Sequence, residues 1–308
     1  MHPMKYTHPR PALQRGVTLI ELLVGIVIGL LTIAVAMGAL MVSRGVSGTV
    51  SDASDIQQQA SYAFRVMGQQ LRQAGSLKLK LSAAKVEGDS SPTLVGDRVA
   101  FETDFVATLG DGSIFNLAAD TLNGKDSPSA TEYKLTTGYR NYQESIYTTP
   151  RVEPASQASL QRNCLGENGT NALVQSRFVL KNNELHCAGT ANSQALVRNV
   201  ANFQVRYLMQ TAAGTGNPQM RYVNATTVGA TGWPQVFAVE VCLVLYGNEA
   251  IDLPTGSTYT DCDGTTTVDM SSAASTDMSG SAIGTQRARR MHMVFRNVYQ
   301  LRSQGLAG

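Results

Sequence analysis

The sequence predicts an α+β protein, in which one long N-terminal helix is followed by an antiparallel β-sheet domain. Three observations lead to this prediction. An apolar run extends from Val17 to Val42, an amphipathic helical pattern covers Ser51–Ala74, and short alternating runs follow Ser76. A helix followed by a series of strands is typical of the α+β class. At 308 residues the chain is long enough to bury a large core.

The apolar run is long enough to cross a membrane. As a helix, Val17–Val42 would reach about 39 Å, whereas the hydrocarbon core of a bilayer is about 30 Å thick. Its single charge is Glu21. A carboxylate inside a membrane segment costs on the order of 2.5–3.5 kcal/mol, so we expect Glu21 to have a partner or a function. Gly25 and Gly29 form a small-xxx-small pair that would let neighbouring helices approach closely.

Basic residues precede this run and indicate its orientation. Lys5, Arg10 and Arg15 lie in the first 16 residues, which contain no acid. The positive-inside rule therefore keeps the leader in the cytoplasm and puts the chain after Val42 outside. The rest of the chain is almost neutral, so its charge does not call for nucleic acid. An ordinary signal anchor remains an alternative. A cleaved secretory signal fits less well, because its apolar part is only about 7–15 residues long.

The pattern after the apolar run predicts that the helix continues and packs on a core. From Ser51 to Ala74, apolar residues recur at steps of three and four, and Gly75 supplies a stop signal. The periodic residues are Ile56, Ala60, Ala63, Phe64, Met67 and Leu71. We expect one helix from about Val17 to Ala74, with a glycine-containing weak point at Ser43–Thr49.

Strand patterns fill much of the rest of the chain. They cover Arg98–Val106, Ala130–Thr137, Arg177–Leu180, Asn199–Gln210, Gln235–Tyr246 and Met291–Leu301. Alternation puts these side chains on shared faces of the last three strands: Phe203, Val205, Tyr207 and Met209; Phe237, Val239, Val241, Leu243 and Leu245; Met293, Phe295, Tyr299 and Leu301. The polar segments Ala107–Ser129 and Leu253–Gln286 are predicted to be surface loops or partly disordered.

Four cysteines lie in the part of the chain that is predicted to be external: Cys164, Cys187, Cys242 and Cys262. An oxidising compartment makes disulfides the default, and four cysteines allow three pairings. We expect Cys164–Cys187 and Cys242–Cys262, because each bond would close one loop between adjacent strands. A zinc site is the alternative, but no two cysteines have the spacing of two to four residues that a zinc knuckle uses.

The sequence does not predict catalysis. Outside the leader, His186 and His292 are the only histidines, and neither has a suitably spaced ligand partner. A Cys–His pair of Cys187 with His186 is conceivable, but a disulfide is favoured. We therefore predict a protein that is not an enzyme and that has no cofactor or metal site.

Two polar clusters leave alternatives open. Asp261-Cys262-Asp263-Gly264, with Asp269 following, suggests a calcium loop but lacks the spacing and the final Glu of an EF-hand. A solvated loop is favoured. Arg287, Arg289 and Arg290 could contact DNA, but solvated arginines at the entrance to a strand are favoured.

The N-terminal motif resembles the class III signal of type IV prepilins and type II secretion pseudopilins. The matching residues are Arg15-Gly16-Val17-Thr18-Leu19-Ile20-Glu21, although the first mature residue of the family is usually Phe rather than Val. The resemblance implies that prepilin peptidase cuts between Gly16 and Val17 and methylates the Val17 amine. It also implies that the Glu21 carboxylate pairs with the Val17 amine of a neighbouring subunit during assembly.

Three strand motifs resemble PilW-like minor pilins. They are Val200–Tyr207, Trp233–Val241 and the closing strand Arg290–Arg302. The resemblance implies a type IV pilin-like fold and a minor pilin that takes part in the initiation of pilus assembly at the tip. The expected organisation is a leader at 1–16, a membrane and filament-core segment at 17–42, an amphipathic continuation at 43–75 and a periplasmic domain at 76–308.

Partners and location follow from the same resemblance. The protein would lie in the bacterial inner membrane and then in the pilus, and would support twitching motility. It would contact prepilin peptidase, membrane lipid, the assembly platform, the major pilin and other minor pilins. Two alternatives remain open: a J-type minor pseudopilin of type II secretion, and a tip adhesin or DNA-binding module tethered by the helix.

Overall fold

A computed structural model gives the fold, and it describes residues 16–77, 79–80, 100–101, 115–142, 144–146, 156–168, 172–211 and 219–301. Residues 1–15 of the predicted leader lie outside this set. So do most of the predicted strand Arg98–Val106 and residues 107–114 of the first predicted loop. Contacts between residues divide the chain into two compact units, Met1–Val50 and Ser51–Gly308.

The N-terminal helix α1 covers Leu19–Gln73, close to the predicted limits. Thr18 begins it, because its hydroxyl accepts a hydrogen bond from the Glu21 N–H at 3.3 Å, as an N-cap residue does. Gly75 ends it in the left-handed region at φ 69°, and its N–H donates to the Gly138 carbonyl at 2.9 Å. The backbone is helical through Ser43–Thr49, where the sequence predicted a weak point.

Fifteen strands and three short α-helices follow α1 in the described residues. The strands are β1 (Leu79–Lys80), β2 (Ala100–Phe101), β3 (Leu122–Asn123), β4 (Leu135–Arg140), β5 (Glu144–Ile146), β6 (Ser156–Ala158), β7 (Leu173–Lys181), β8 (Glu184–Ala188), β9 (Ser193–Val197), β10 (Val200–Thr211), β11 (Gln219–Val223), β12 (Val236–Tyr246), β13 (Thr258–Thr260), β14 (Thr267–Asp269) and β15 (His292–Gln300). The short helices are α2 (Leu117–Asp120), α3 (Ala225–Val228) and α4 (Gly284–Arg287), and a 3₁₀ turn covers Trp233–Gln235.

Two antiparallel sheets form the body of the second unit. One has the order β11-β10-β12-β15 and the other has the order β3-β4-β7-β8-β9. Each pairing within them is antiparallel. The predicted α+β class, with a helix on an antiparallel sheet, is therefore confirmed.

The second part of α1 packs into the main core between these sheets. Ile56, Met67 and Leu71 are buried there, as their spacing predicts, and Phe64 is partly buried. Their partners from the sheets include Phe178, Phe203, Val205, Tyr207, Val239, Val241, Leu243 and Tyr299. Full burial of an aliphatic side chain of this size contributes about 1.5–3 kcal/mol, so this stripe is enough to fix the helix on the sheets.

The predicted loop Leu253–Gln286 is in fact an ordered excursion, and that prediction is wrong. It contains β13, β14 and the start of α4, and it covers the outer face of β12. A second core forms there from Cys242, Val244, Tyr246, Tyr259, Cys262, Val268 and Ile283. Its few apolar residues are spaced among Ser, Thr and Gly, a composition that is typical of a surface loop.

Other differences are local. The predicted loop Ala107–Ser129 contains α2 and β3, and β3 pairs with β4. The strand predicted at Ala130–Thr137 begins only at Leu135, because a turn, in which the Glu132 N–H donates to the Ser129 carbonyl at 3.1 Å, occupies the first residues of the predicted range. The strand predicted at Arg177–Leu180 is longer and covers Leu173–Lys181.

Candidate functional site

The first unit presents an uncovered apolar helix. Leu19–Met41 has a mean hydropathy of 2.7, with none of it buried, and it is the one helix among the described residues that is long and apolar enough to span a membrane. Leu19 is 76% exposed and Ile20 is 71% exposed. Exposure of a continuous apolar surface of this size to water is unfavourable, so the segment requires lipid or other helices around it.

Glu21 lies in the first turn of this helix. Its side chain is exposed, and none of the described basic residues pairs with it. A carboxylate near a helix N-terminus gains from the helix dipole, by about 0.3–1 kcal/mol when it is exposed to solvent. That gain is smaller than the cost of a charge inside a membrane, so the helix dipole alone does not compensate for placing the Glu21 carboxylate in a bilayer.

The predicted cleavage position is accessible. Gly16 and Val17 precede α1, and Val17 is 71% exposed. Among the described residues, no other group lies within 4 Å of the position that a Cβ at Gly16 would take. Cleavage between them would create an amine four residues before Glu21. Gly25 and Gly29, the predicted packing positions, also have open space at their Cβ positions.

The cysteines lie in the second unit and form two disulfides. Cys164 pairs with Cys187, with a Cα–Cα distance of 6.4 Å, and Cys242 pairs with Cys262 at 5.8 Å. This is the nearest-neighbour pairing that the sequence favours. The first bond joins a loop to β8, and the second holds the excursion on β12. Because Cys187 is bonded, it does not form a nucleophile with His186, whose Nε2 lies 3.2 Å from Glu184 Oε2.

The acidic residues that suggested a calcium loop bond to the protein instead. Asp261 is buried rather than solvated, and its carboxylate accepts from Asn202 Nδ2 at 2.8 Å and from the Met278 N–H at 3.0 Å. Burial alone would raise the pKa of Asp263, but hydrogen bonds from Thr266 and Thr265 lower it to about 2. In the part of the chain that the structure describes, no three His, Cys, Asp or Glu side chains gather as metal ligands.

The three arginines predicted to be solvated do not form one patch, and for Arg287 that prediction is wrong. Arg287 is buried, and its Nη2 lies 2.8 Å from the buried Asp277 carboxylate. Arg289 is exposed and pairs with Asp252 at 3.0 Å. Arg290 donates to the Gly247 and Asn248 carbonyls. Such a dispersed arrangement offers no continuous basic surface for DNA.

His292 lies behind the same excursion. Its ring stacks on Tyr259, with 4.8 Å between the ring centroids, and its Nδ1 lies 3.0 Å from the Arg290 carbonyl. Burial lowers the pKa of His292 to about 4, and the hydrogen bond to Arg290 opposes the effect only in part. The imidazole is therefore neutral at neutral pH and acts as a packed aromatic ring.

One feature of the second unit escaped sequence reasoning. Arg206, Glu240 and Arg296 form a row of charges across β10, β12 and β15, with Arg–Glu distances of 3.9 and 3.6 Å. Their strands are close to one another only because of the sheet order, which the strand patterns alone do not specify. Only the predicted antiparallel pairing of the strands could have suggested that these residues are neighbours.

Comparisons with known proteins identify a matching family model and structurally similar chains. Residues 164–303 match the model of the PilW family, described as type IV pilus-assembly protein W. The match contains all three strand motifs in full and confirms the resemblance to PilW-like proteins. A type IV-like pilin from Thermus thermophilus aligns with 80% of this chain and 95% of its own, at 13% identity and a TM-score of 0.31. No curated protein sequence matches the chain.

Proposed function

We propose that this PilW-like chain is a minor pilin that primes assembly of the type IV pilus and stays at its tip. Its family supports a role in the pilus. The finer proposal rests on one observation above all: an uncovered apolar helix with a single carboxylate in its first turn, attached to a folded domain. The protein would act as a structural subunit rather than as an enzyme.

The proposed cycle begins in the inner membrane. The basic leader stays in the cytoplasm and the folded unit in the periplasm, where its two disulfides can form. Prepilin peptidase then cuts between Gly16 and Val17 and methylates the new Val17 amine. The exposed position of this bond in front of α1 is compatible with access by the peptidase.

Assembly then exchanges lipid for protein around α1. Apolar side chains lose little in this exchange, because lipid tails are as apolar as neighbouring helices, and close packing at Gly25 and Gly29 adds contacts. Glu21 gains most, because a cationic amine on the next subunit neutralises it. A paired charge in an apolar environment costs much less than an unpaired one. The carboxylate therefore favours the filament over the isolated subunit and sets the register between neighbours.

The partners proposed for this cycle are the other minor pilins, the major pilin and the inner-membrane assembly platform. Deletion of the gene tests the priming role. We expect the strain to lose most of its surface pili and its twitching motility, while it still makes the major pilin and still secretes its exoproteins. A plasmid copy of the wild-type gene should restore the pili.

The same experiment separates the proposal from its main alternative. A strain that keeps its pili but no longer releases exoproteins would overturn the pilus role and indicate a type II secretion pseudopilin. Normal pili with normal secretion would contradict both functions.

A further inference from the structure

Among the residues that the structure describes, only half of the outer face of the β11-β10-β12-β15 sheet is covered by another segment. On β12, the side chains of Cys242, Val244 and Tyr246 lie under the excursion in the second core. Ala238 and Glu240 continue the same face beyond the excursion, because alternate residues of a strand point to the same side. Arg296 marks the boundary, since its Nη2 donates to the Asp261 carbonyl at 3.1 Å.

The uncovered half carries an apolar surface, which we call the open face. It consists of Leu208, Met220, Tyr222 and Val298, together with the charge row of Arg206, Glu240 and Arg296. Met220 is 49% exposed and Val298 is 47% exposed. Pairing across the strands brings Tyr222 beside Leu208 and Val298 beside Glu240, so these side chains form one continuous surface.

The charge row on the open face has an excess of positive charge. Both arginines approach the same oxygen, Glu240 Oε1, at 3.9 and 3.6 Å, and this buried oxygen accepts no hydrogen bond. The Arg206 guanidinium lies over the Tyr222 ring, 5.4 Å from its centroid. In the part of the chain that the structure describes, the Arg206 guanidinium donates no hydrogen bond. Two guanidinium groups thus share one carboxylate beside exposed apolar and aromatic side chains.

We propose that the open face binds an acidic surface on the periplasmic domain of another pilin-like subunit. Tyr and Arg beside apolar side chains are the residues that dominate binding energy at protein interfaces. A carboxylate of the partner would bind the donors that Glu240 leaves unused, in a place where the apolar contacts exclude water. The proposal rests on the pilus role and specifies which surface carries out the contact.

Other occupants fit the open face less well. In a symmetric pair of two copies of this chain, the patch would meet itself and bring arginines near arginines. A nucleic acid would need several phosphate contacts, whereas the face offers an excess of one positive charge among four apolar side chains. An acidic, partly apolar protein surface complements both the excess positive charge and the exposed apolar side chains of the open face.

Co-purification from membranes of piliated cells tests the proposal. We would express the full-length chain with a C-terminal tag and identify by mass spectrometry the recovered proteins that carry a prepilin-type N-terminus. Arg206→Gln removes the excess charge, and Tyr222→Ala removes the aromatic anchor. Arg221→Gln is the matched control, because Arg221 is an exposed arginine on β11 next to Tyr222 and lies on the other side of that strand.

We expect each open-face variant to lower recovery of a pilin-like partner at least about tenfold, as hot-spot residues do. The control should recover the partner as the wild type does, and high salt should weaken the wild-type complex. Unchanged melting temperatures would show that the variants fold. If Tyr222→Ala fails to fold, the exposed Arg206→Gln decides the outcome.

Several results would overturn the proposal. One is that Arg206→Gln and Tyr222→Ala both recover every pilin-like partner in the same amount as the wild type does. Another is a recovered partner that proves to be an untagged copy of this chain. A third is retention of a DNA duplex that depends on Arg206. In each of these cases the pilus role can still stand, whereas a wild-type chain that recovers no pilin-like protein at all would count against the proposed function itself.

Discussion

Glu21→Ala is expected to abolish incorporation of the protein into pili while the protein still inserts in the membrane and folds. Removal of the charge makes the apolar helix easier to insert, by at most about 2.5–3.5 kcal/mol, which is the insertion-scale cost of a charge at the centre of a helix. The variant therefore reaches the membrane as well as the wild type does. It loses the attraction between the carboxylate and the Val17 amine of the next subunit, which is the interaction proposed to favour the filament over lipid.

Two further variants sharpen this prediction. Glu21→Gln keeps the size and shape of the side chain and one acceptor oxygen but removes the charge, so we expect it to fail as Glu21→Ala does. Asp55→Ala removes an exposed carboxylate from the second part of the same helix, and we expect normal assembly. The measurements are the number of pili per cell by electron microscopy and the amount of the protein in sheared pili. Normal pilus number with Glu21→Ala would count against the pairing mechanism.

Arg287→Ala is expected to cost the folded protein about 3–5 kcal/mol, because it leaves a buried carboxylate without its cation. Arg287 and Asp277 are 7% and 8% exposed, and the Arg287 guanidinium also donates to the Ala201 carbonyl at 3.2 Å. Burial alone would raise the pKa of Asp277, but hydrogen bonds from Ser279 and Arg287, with the charge of Arg287, lower it. The stability that this pair contributes is present above the ordinary pKa of aspartate and is lost as the pH falls through the lowered value.

Arg289→Ala is the matched control for Arg287→Ala. It breaks an ion pair with Asp252 whose side chains are 59% and 98% exposed, and exposed pairs contribute about 0–1 kcal/mol. Urea unfolding of both variants at neutral pH measures the difference. Equal stabilities for the two would contradict the buried position of Arg287 under the excursion.

The helix could be predicted from sequence because its signals are local. A single stretch of chain contains the apolar run, the stripe from Ile56 to Leu71 and the stop at Gly75, and each acts within a few residues. The same holds for β10, β12 and β15, whose alternation or apolar content is strong. The disulfide pairing followed from simple loop closure, and the structure has the same pairing.

The excursion could not be predicted in the same way, because its order depends on distant contacts. Arg287 and Asp261 have the charge of surface residues, and they are buried only because the excursion and the residues just after it fold over β12. One signal was present in the sequence. Both alternate sets of residues along Val236–Tyr246 are largely apolar, which is typical of a strand buried on two faces. That pattern could have indicated that another segment covers β12.

For the candidate functional sites, the sequence predicts the residues of the N-terminal motif but not the surroundings of any residue. The sequence identifies Gly16, Val17 and Glu21 by their order along one short N-terminal stretch, and the structure adds that the apolar helix that begins there is exposed. By contrast, the open face depends on strands β10, β11, β12 and β15 lying side by side. Residues so far apart in the chain give no local pattern, so Arg206, Tyr222 and Val298 could be recognised only in the fold.

Mass spectrometry of the protein in purified pili tests the central claim most directly, because pairing with Glu21 requires a free amine at one position. The account predicts that the N-terminal peptide begins at Val17 and carries one added methyl group. Assembled protein that begins at any other residue, or that retains the leader, would contradict it.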